Sequence, residues 1–188
     1  CRIQAQAWGS DDQSDLYKYG YINIEGVRRV STRQNYPLNR YISILYLNVK
    51  NIPCTVNDIK YYDTNIATKN ADDLKNYLLQ LPHGAVIVGT TSDEVMSSIY
   101  PASELLRTSF GLQFPTAPLP SLTDKWYRAS TVFIARKGYP RQSAQYVGYR
   151  GHGPVMLYFD GKYNICHIYS VVHHCPRPSL YFFLFSIT

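Results

Sequence analysis

The sequence lacks the short motifs that mark common catalytic and metal sites. It has no glycine-rich phosphate loop, no G-x-S-x-G, no H-E-x-x-H and no EF-hand loop. No C-x-x-C pair occurs either, which excludes a zinc ribbon and a thioredoxin-type redox site. Cysteines and histidines are present, but no local signature of a Cys/His protease accompanies them. We therefore expect a non-enzymatic chain with no catalytic residues, cofactor or metal.

Long hydrophobic runs are also missing. No stretch reaches 18 consecutive apolar residues, so we expect no membrane span. The chain opens on Cys1 without an initiator Met or a signal-peptide pattern, which predicts a mature secreted protein or an excised fragment. Without an Asn-x-Ser/Thr sequon, N-glycosylation is not predicted.

Charged residues are few, at 17% of the 188 positions, whereas 45% are hydrophobic. Such a chain can bury a core and is too apolar to be disordered. We predict one domain over residues 1–162 and a C-terminal extension over 163–188 that is partly docked. The net charge is +6, and 18 residues are tyrosine, a side chain suited to half-wet surfaces such as interfaces and sugar platforms.

Four widely spaced cysteines are candidates for disulfides in an oxidising compartment: Cys1, Cys54, Cys166 and Cys175. They allow three pairings, and a bridge from Cys1 to Cys166 would join the two ends of the domain. Buried free thiols in a cytosolic protein are the alternative. A zinc set is a further alternative, in which Cys166 and Cys175 would join three clustered histidines: His167, His173 and His174.

Alternation of apolar and polar residues predicts a β-rich domain. The predicted strands cover 1–8, 19–24, 27–30, 40–49, 58–63, 85–88, 131–136 and 155–159. The run over 40–49 is apolar enough to lie near a sheet centre, and the wholly apolar run over 85–88 is typical of a strand covered on both faces. Residues 137–154, rich in Gly, Arg and Tyr, are predicted to form a loop.

Two helical stretches interrupt the strands. Asn70 is predicted to cap the first helix, with Asp72 and Asp73 in its first turn and a stop at Pro82. Its apolar stripe has spacings of three and four: Ala71, Leu74, Tyr77, Leu78 and Leu81. The second helix is predicted to open at Ser92 and to run, interrupted at Pro101, as far as Phe110.

A set of short motifs follows these elements along the chain: Arg40–Leu47 (RYISILYL), Lys60–Thr64 (KYYDT), Leu74, Leu78 and Leu81, Gly84–Thr90 (GAVIVGT), Asp93, Leu105–Leu106, Phe110–Gly111, Asp124–Trp126 (DKW) and Phe133–Gly138 (FIARKG). In their order and spacing these motifs resemble the ILEI/PANDER-like domain. The resemblance covers roughly residues 1–160. The sequence departs from the family in its proline-rich loop, its Gly/Tyr/Arg loop and the tail after Lys162.

This resemblance implies a secreted α+β fold: two β-sheets in a sandwich-like β-β-α arrangement, two or three helices packed on them, and disulfides fastening the domain. It also implies a binding or signalling module without an active centre. In the stem of the protein O-mannose N-acetylglucosaminyltransferase the domain binds sugar. The resemblance therefore makes a lectin-like role the leading expectation.

Positive charge is concentrated between residues 124 and 162, where the sequence has seven basic residues and only two acidic ones. Aromatic residues are interleaved with them, as an anionic or stacked ligand requires. We predict six ligand-binding residues: Lys60, Asp63, Asp124, Trp126, Arg128 and Arg136. The competing interpretations are a solvated basic face and, for Asp63 and Asp124, aspartates that only cap turns.

The expected function is a secreted, non-enzymatic, carbohydrate-binding protein. Its partners would be glycans or glycoproteins, anionic ones among them, and no nucleic acid, because no nucleic-acid fold signature is present. The alternative is a secreted signalling or extracellular-matrix module that binds protein and self-associates, with its tyrosines and the apolar segment 179–188 as the contact surface.

Overall fold

A computed structural model gives the protein an α+β fold, as predicted. It describes residues 1–9, 20–31, 40–50, 53–65, 68–93, 95–121 and 123–160, and the backbone of 165–170. The strands are β1 (Arg2–Ala7), β2 (Tyr21–Ile24), β3 (Val27–Ser31), β4 (Ile42–Asn48), β5 (Thr55–Tyr62), β6 (Val86–Thr91), β7 (Ser130–Arg136), β8 (Ala144–Gly148), β9 (Val155–Asp160) and β10 (Ile165–Ser170). The part of the chain that the structure describes contains two helices, α1 (Thr68–Gln80) and α2 (Tyr100–Phe110).

The strands form two antiparallel sheets. The outer sheet has the order β10-β9-β1-β2-β3, and the middle sheet has the order β5-β4-β6-β7-β8. The predicted strand over 40–49 is β4, inside the middle sheet, and the predicted partner strand over 58–63 is β5 beside it. The predicted doubly covered strand is β6 at the centre, where Ile87 and Val88 are both fully buried on opposite faces.

Alternation along the strands of the middle sheet builds two cores. Even-numbered Ile42 and Ile44 of β4 pack with the helices, whereas Leu45 and Leu47 pack against the outer sheet. The molecule is thus layered as outer sheet, middle sheet and helices, which confirms the predicted β-β-α sandwich. Neither helix within the described residues is long and apolar enough to cross a membrane.

Helix α1 begins earlier than predicted. It starts at Thr68, so Asn70 lies inside the helix and is not its cap, and Asp72 and Asp73 fall outside the first turn. The Asn70 amide instead donates to the backbone oxygen of Asp63 at 2.7 Å, which ties the helix start to the end of β5.

Helix α2 begins later than predicted. Ser92 forms a bridge with Trp8, which belongs to the segment after β1, and is not helical. The helix starts at Tyr100, with Pro101 in its first turn, where a missing N–H costs nothing. Gly111, at φ +70°, ends the helix in the left-handed conformation that glycine adopts without strain.

The predicted loop over 137–154 is wrong in part, because it contains strand β8. Five residues, Ala144–Gly148, pair with β7 from Ser130 to Ile134. Beyond residue 162, in the predicted extension, β10 pairs with β9 at the edge of the outer sheet. Residues 171–188, including Cys175 and the apolar segment 179–188, lie outside the described residues.

One disulfide joins the two sheets within the described part of the chain. Cys1 precedes β1, Cys54 precedes β5, and their Cα atoms are 5.3 Å apart. This finding confirms the disulfide expectation and rules out the alternative bridge from Cys1 to Cys166. The side chains of Cys166 and Cys175, and those of the three candidate zinc-ligating histidines, are outside the described residues.

Candidate functional site

The hairpin of β7 and β8 determines where the basic and aromatic side chains meet. Ser130, the first residue of β7, lies opposite Gly148, the last residue of β8. Because the two strands are antiparallel, the segment that enters β7 and the segment that leaves β8 emerge side by side at the same end of the middle sheet. The backbone N–H of Arg150 donates to the carbonyl of Lys125 at 3.3 Å and holds the two segments together.

Asp124 folds the entering segment into a turn. Its Oδ1 accepts a hydrogen bond from the backbone N–H of Trp126 at 2.8 Å, and its carbonyl accepts one from Tyr127 at 3.0 Å. This is an Asx-turn, in which an aspartate side chain accepts a hydrogen bond from the backbone N–H two residues further on. Asp124 therefore forms the turn that the capping interpretation predicted and positions the segment that enters β7.

Two aromatic contacts connect the segments. The rings of Trp126 and Tyr149 meet edge to face with centroids 5.3 Å apart, and Lys125 Nζ lies 5.0 Å from the centroid of Tyr149. Trp126 is half-buried against the core between the helices and the middle sheet. The indole is thus anchored, while Lys125 is exposed and has no carboxylate within ion-pair distance among the residues described.

A second ring lies near two guanidinium groups. The Cζ atoms of Arg128 and Arg150 are 5.0 and 5.4 Å from the centroid of Tyr127, within the range of a cation–π contact. We call the whole group the cation–aromatic cluster, and it comprises Lys125, Trp126, Tyr127, Arg128, Tyr149 and Arg150. Two of its three cations are arginines, whose planar guanidinium groups present several N–H donors in a fixed geometry.

Lys60 and Asp63 lie at the same end of the middle sheet but on strand β5 and just beyond it. Strands β4 and β6 separate β5 from β7, and three strand spacings amount to about 14 Å. Lys60 pairs with Asp58 at 3.4 Å, while Asp63 accepts from the backbone N–H of Asn65 at 3.1 Å. Both residues therefore serve local contacts in this structure, apart from the cation–aromatic cluster.

Beside Lys60, the contact between β5 and α1 is rich in tyrosine. The rings of Tyr62 and Tyr77 are 6.2 Å apart, and Lys60 Nζ is 6.0 Å from the Tyr77 centroid. Burial, reinforced by the nearby carboxylates of Asp58 and Asp73, raises the pKa of the Tyr62 hydroxyl to about 12. Burial and Asp58 raise the pKa of Tyr77 as well. Both rings are thus neutral packing elements at physiological pH.

Arg136 lies at the opposite end of β7. A seven-residue strand spans about 20 Å, so Arg136 is far from the cation–aromatic cluster. Its guanidinium stacks 4.3 Å from the centroid of Tyr139 and donates to the Gln142 side chain at 3.1 Å. The six predicted residues thus fall into three places, and only Asp124, Trp126 and Arg128 come together.

The predicted set omitted four members of the cluster: Lys125, Tyr127, Tyr149 and Arg150. Their signal in the sequence is the excess of basic and aromatic residues between 124 and 162. Strand β8, which brings Tyr149 and Arg150 back to Lys125, was the missing element. Without it, spacing along the chain could not show which cations meet which rings.

Metal-ligand types come together at one place within the described residues, namely Cys1, Glu25 and Cys54. The two sulfur atoms are joined in a disulfide and offer no thiolate. We therefore assign no metal role to this group.

A family model described as Interleukin-like EMT inducer matches residues 41–139, which is 99 of the 188 residues. The chain belongs to the Interleukin-like EMT inducer family. A search of curated proteins found no match.

The family match includes β4 to β7, both helices and the entering segment with Asp124 to Arg128. Strand β8 with Tyr149 and Arg150, and every strand of the outer sheet, lie beyond it. The cation–aromatic cluster thus combines residues from inside the segment matched by the Interleukin-like EMT inducer model with residues outside it.

Proposed function

We propose that this chain is a secreted, non-enzymatic protein that binds carbohydrate at the cation–aromatic cluster. The observation that supports this proposal is the convergence of three cations and three aromatic rings on two segments held by the β7–β8 hairpin. A rigid sheet end that carries adjacent rings and cations is suited to binding a ligand with little reorganisation.

The chemistry of the cluster favours an anionic glycan. Tyrosine and tryptophan rings offer flat apolar faces to a sugar ring, and arginine forks match the planar oxygens of a carboxylate or a sulfate. An exposed ion pair contributes only about 0–1 kcal/mol, so one cation would not be sufficient. Contacts from several cations and rings together are needed for measurable affinity.

A glycan array that carries neutral, uronic-acid and sulfated oligosaccharides tests the proposal. We expect binding to the acidic glycans, with an affinity that falls as sodium chloride is raised, because salt screens exposed charges. The double variant Lys125→Ala/Arg150→Ala should weaken this binding at least tenfold. The matched control Lys69→Ala/Lys75→Ala removes two exposed cations from α1 and should bind like the wild type.

Two results would overturn the proposal. One is the absence of glycan binding above background for the wild-type protein at low salt. The other is an equal loss of binding in the cluster variant and the α1 control, since net charge alone would then explain the attraction.

The second candidate is a secreted signalling or extracellular-matrix module that binds protein and self-associates. The family description names an inducer, which supports a signalling role. Strand β5 adds a structural argument: in the described part of the fold it hydrogen-bonds only to β4, and its Tyr61 side chain is 49% exposed. An open edge of eight residues can accept another strand.

Light scattering over a range of concentrations tests this second candidate. Self-association through β5 predicts a mass that rises with concentration in the wild type and stays monomeric in Tyr61→Lys. Association through the apolar segment predicts the same loss on removing residues 179–188. A monomeric wild type at all concentrations would contradict self-association by either route.

A further inference from the structure

The face of the outer sheet that points away from the core carries a row of polar side chains in register. Along four neighbouring strands, Tyr158 of β9 lies opposite Gln4 of β1, Gln4 lies opposite Asn23 of β2, and Asn23 lies opposite Arg28 of β3. Ile3, next to Gln4, points into the core between the sheets. Strand alternation therefore directs the row outward.

Hydrogen bonds run along this row in one direction. Arg28 Nε donates to Asn23 Oδ1 at 3.2 Å, and Asn23 Nδ2 donates to Gln4 Oε1 at 3.2 Å. The ring of Tyr21 lies 4.5 Å from the Arg28 guanidinium carbon and supports that end. The bond from Asn23 fixes the orientation of the Gln4 amide by holding its Oε1 atom. The Nε2 hydrogens of Gln4 have no acceptor among the described residues.

A shallow cleft adjoins the oriented Gln4 amide. Its volume is about 120 Å³, and it is lined by Arg2, Ile3, Gln4, Asn23, Gly26 and Tyr158. The Tyr158 side chain is 36% exposed and forms an aromatic wall. Gly26 lies in the two-residue turn between β2 and β3, at φ +79°, and its missing side chain leaves that rim open.

The positive charges around the cleft already have partners. Arg2 Nε lies 3.4 Å from Glu25 Oε2, and the Arg2 backbone N–H donates to Glu25 Oε1 at 3.2 Å. Arg28 is engaged with Asn23 and Tyr21. A neutral sugar can offer a hydroxyl oxygen as acceptor to the Gln4 amide and pack its ring on Tyr158 without displacing any of these contacts.

We propose that this cleft is a second carbohydrate site, which binds the ring of a neutral sugar. Tyr158 would contact an apolar face of the ring, while the Gln4 amide donates to a ring hydroxyl. A sugar ring has polar hydroxyl groups at its edge and apolar C–H groups on its faces. An amide beside an aromatic ring can bind both, by hydrogen bonding and by packing.

The cleft is separate from the cation–aromatic cluster. It lies at the start of β1, whereas the cluster adjoins Gly9 beyond the end of β1, where an added Cβ would lie 2.0 Å from the carbonyl oxygen of Arg128. Five residues of extended chain between Gln4 and Gly9 correspond to about 17 Å. The second site therefore does not depend on the function proposed for the cluster.

Amide NMR spectra of the full chain test the proposal directly. The probes are cellotriose, maltotriose, chitotriose and mannotriose, each titrated in 0.5 M sodium chloride to suppress attraction to the basic cluster. We expect at least one trisaccharide to shift the side-chain amide signals of Gln4 and Asn23. The shift should be saturable and insensitive to salt.

Variants separate the site from the fold. Gln4→Glu keeps the shape and the acceptor for Asn23 but removes the donor, so it should weaken binding at least tenfold, and Tyr158→Ala should do the same. Tyr158→Phe keeps the wall and should retain binding within threefold. Arg29→Ala, an exposed position on the same sheet, and the cluster variant Lys125→Ala/Arg150→Ala should bind neutral sugar like the wild type.

Either of two outcomes would overturn the second site. The first is that no trisaccharide moves the Gln4 and Asn23 side-chain signals. The second is that Gln4→Glu, with a wild-type thermal unfolding curve, binds neutral sugar as well as the wild type. The cluster variant keeps the two proposals distinguishable, because it should lose acidic glycans and retain neutral ones.

Discussion

Lys137 Nζ donates a hydrogen bond to the carbonyl oxygen of Leu81 at 2.6 Å. The same ammonium group donates to the carbonyls of Leu78 and Leu79, both at 2.8 Å. Because the last carbonyls of a helix have no partner within it, this lysine, one residue beyond β7, caps α1 from the middle sheet. Burial among these groups lowers the pKa of Lys137, a cost that the three charge-assisted hydrogen bonds offset.

Replacing Lys137 by methionine should lower the free energy of unfolding. The change keeps the apolar stem and leaves three carbonyl groups without their donor, so we expect a loss of about 1–3 kcal/mol. Urea unfolding monitored by circular dichroism measures it. The control Lys75→Met, at an exposed position of α1, should change stability by no more than about 0.5 kcal/mol. Equal effects at the two lysines would contradict the capping role.

Gly89 of β6 lies directly opposite Phe133 of β7, and the fully buried ring occupies the space that a side chain would need. A Cβ added at Gly89 would lie 2.0 Å from the ring. Gly89→Ala should therefore lower the free energy of unfolding by about 1–3 kcal/mol, because the added methyl group overpacks the core. The double variant Gly89→Ala/Phe133→Leu should be more stable than the sum of the single effects predicts. Strict additivity in this double-mutant cycle would show that the two residues do not compete for space.

The spacing of apolar residues along the chain predicted most of the strands and both helices. The apolar run over 40–49 predicted a strand near a sheet centre and the apolar stripe predicted helix α1, and the structure packs Ile44 and Leu74 from these two elements in one core. Strand β8 escaped prediction because five residues within a loop rich in glycine and arginine carry too little periodicity of their own. Its pairing partner β7 stabilises it, and that pairing is a tertiary effect.

The candidate site was predictable only in part for the same reason. Trp126 and Arg128 could be chosen from their neighbours in the chain, but Tyr149 and Arg150 reach them through the β7–β8 register. Arg136 shares the basic segment, yet the full length of β7 separates it from the cluster. Composition therefore identified the segment that carries the cation–aromatic cluster, while strand geometry determined which of its residues meet.

The disulfide between Cys1 and Cys54 should contribute strongly to stability. It closes a loop across 53 positions and links the outer sheet to the middle sheet. Loop-closure entropy for such a length corresponds to about 4 kcal/mol, so reduction should lower the melting temperature measured by calorimetry. The double variant Cys1→Ser/Cys54→Ser should melt at the temperature of the reduced wild type. If reductant lowers the melting temperature of this double variant further, another cysteine pair also stabilises the fold.

Tyr62 makes stability depend on pH in the alkaline range. Its folded-state pKa is raised to about 12, so the unfolded chain loses the hydroxyl proton first, near the ordinary value of 10. The contribution of Tyr62 is thus complete below pH 10 and is lost as the pH rises from 10 to about 12. Urea unfolding at half-unit steps from pH 8 to 12 should show a decline that begins near pH 10.

Two variants assign that decline to the tyrosine contact between β5 and α1. Tyr62→Phe removes one titrating hydroxyl and should make the decline above pH 10 shallower while leaving the shape below pH 9 unchanged, and Tyr77, whose pKa is also raised, accounts for part of the slope that remains. Asp58→Asn removes a carboxylate that raises the pKa of both Tyr62 and Tyr77, so it should reduce the slope without abolishing it, because burial is the larger cause. Absorbance at 295 nm follows the phenolate directly. If Tyr62→Phe loses stability between pH 10 and 12 as steeply as the wild type, the ionisation that matters lies elsewhere in the fold.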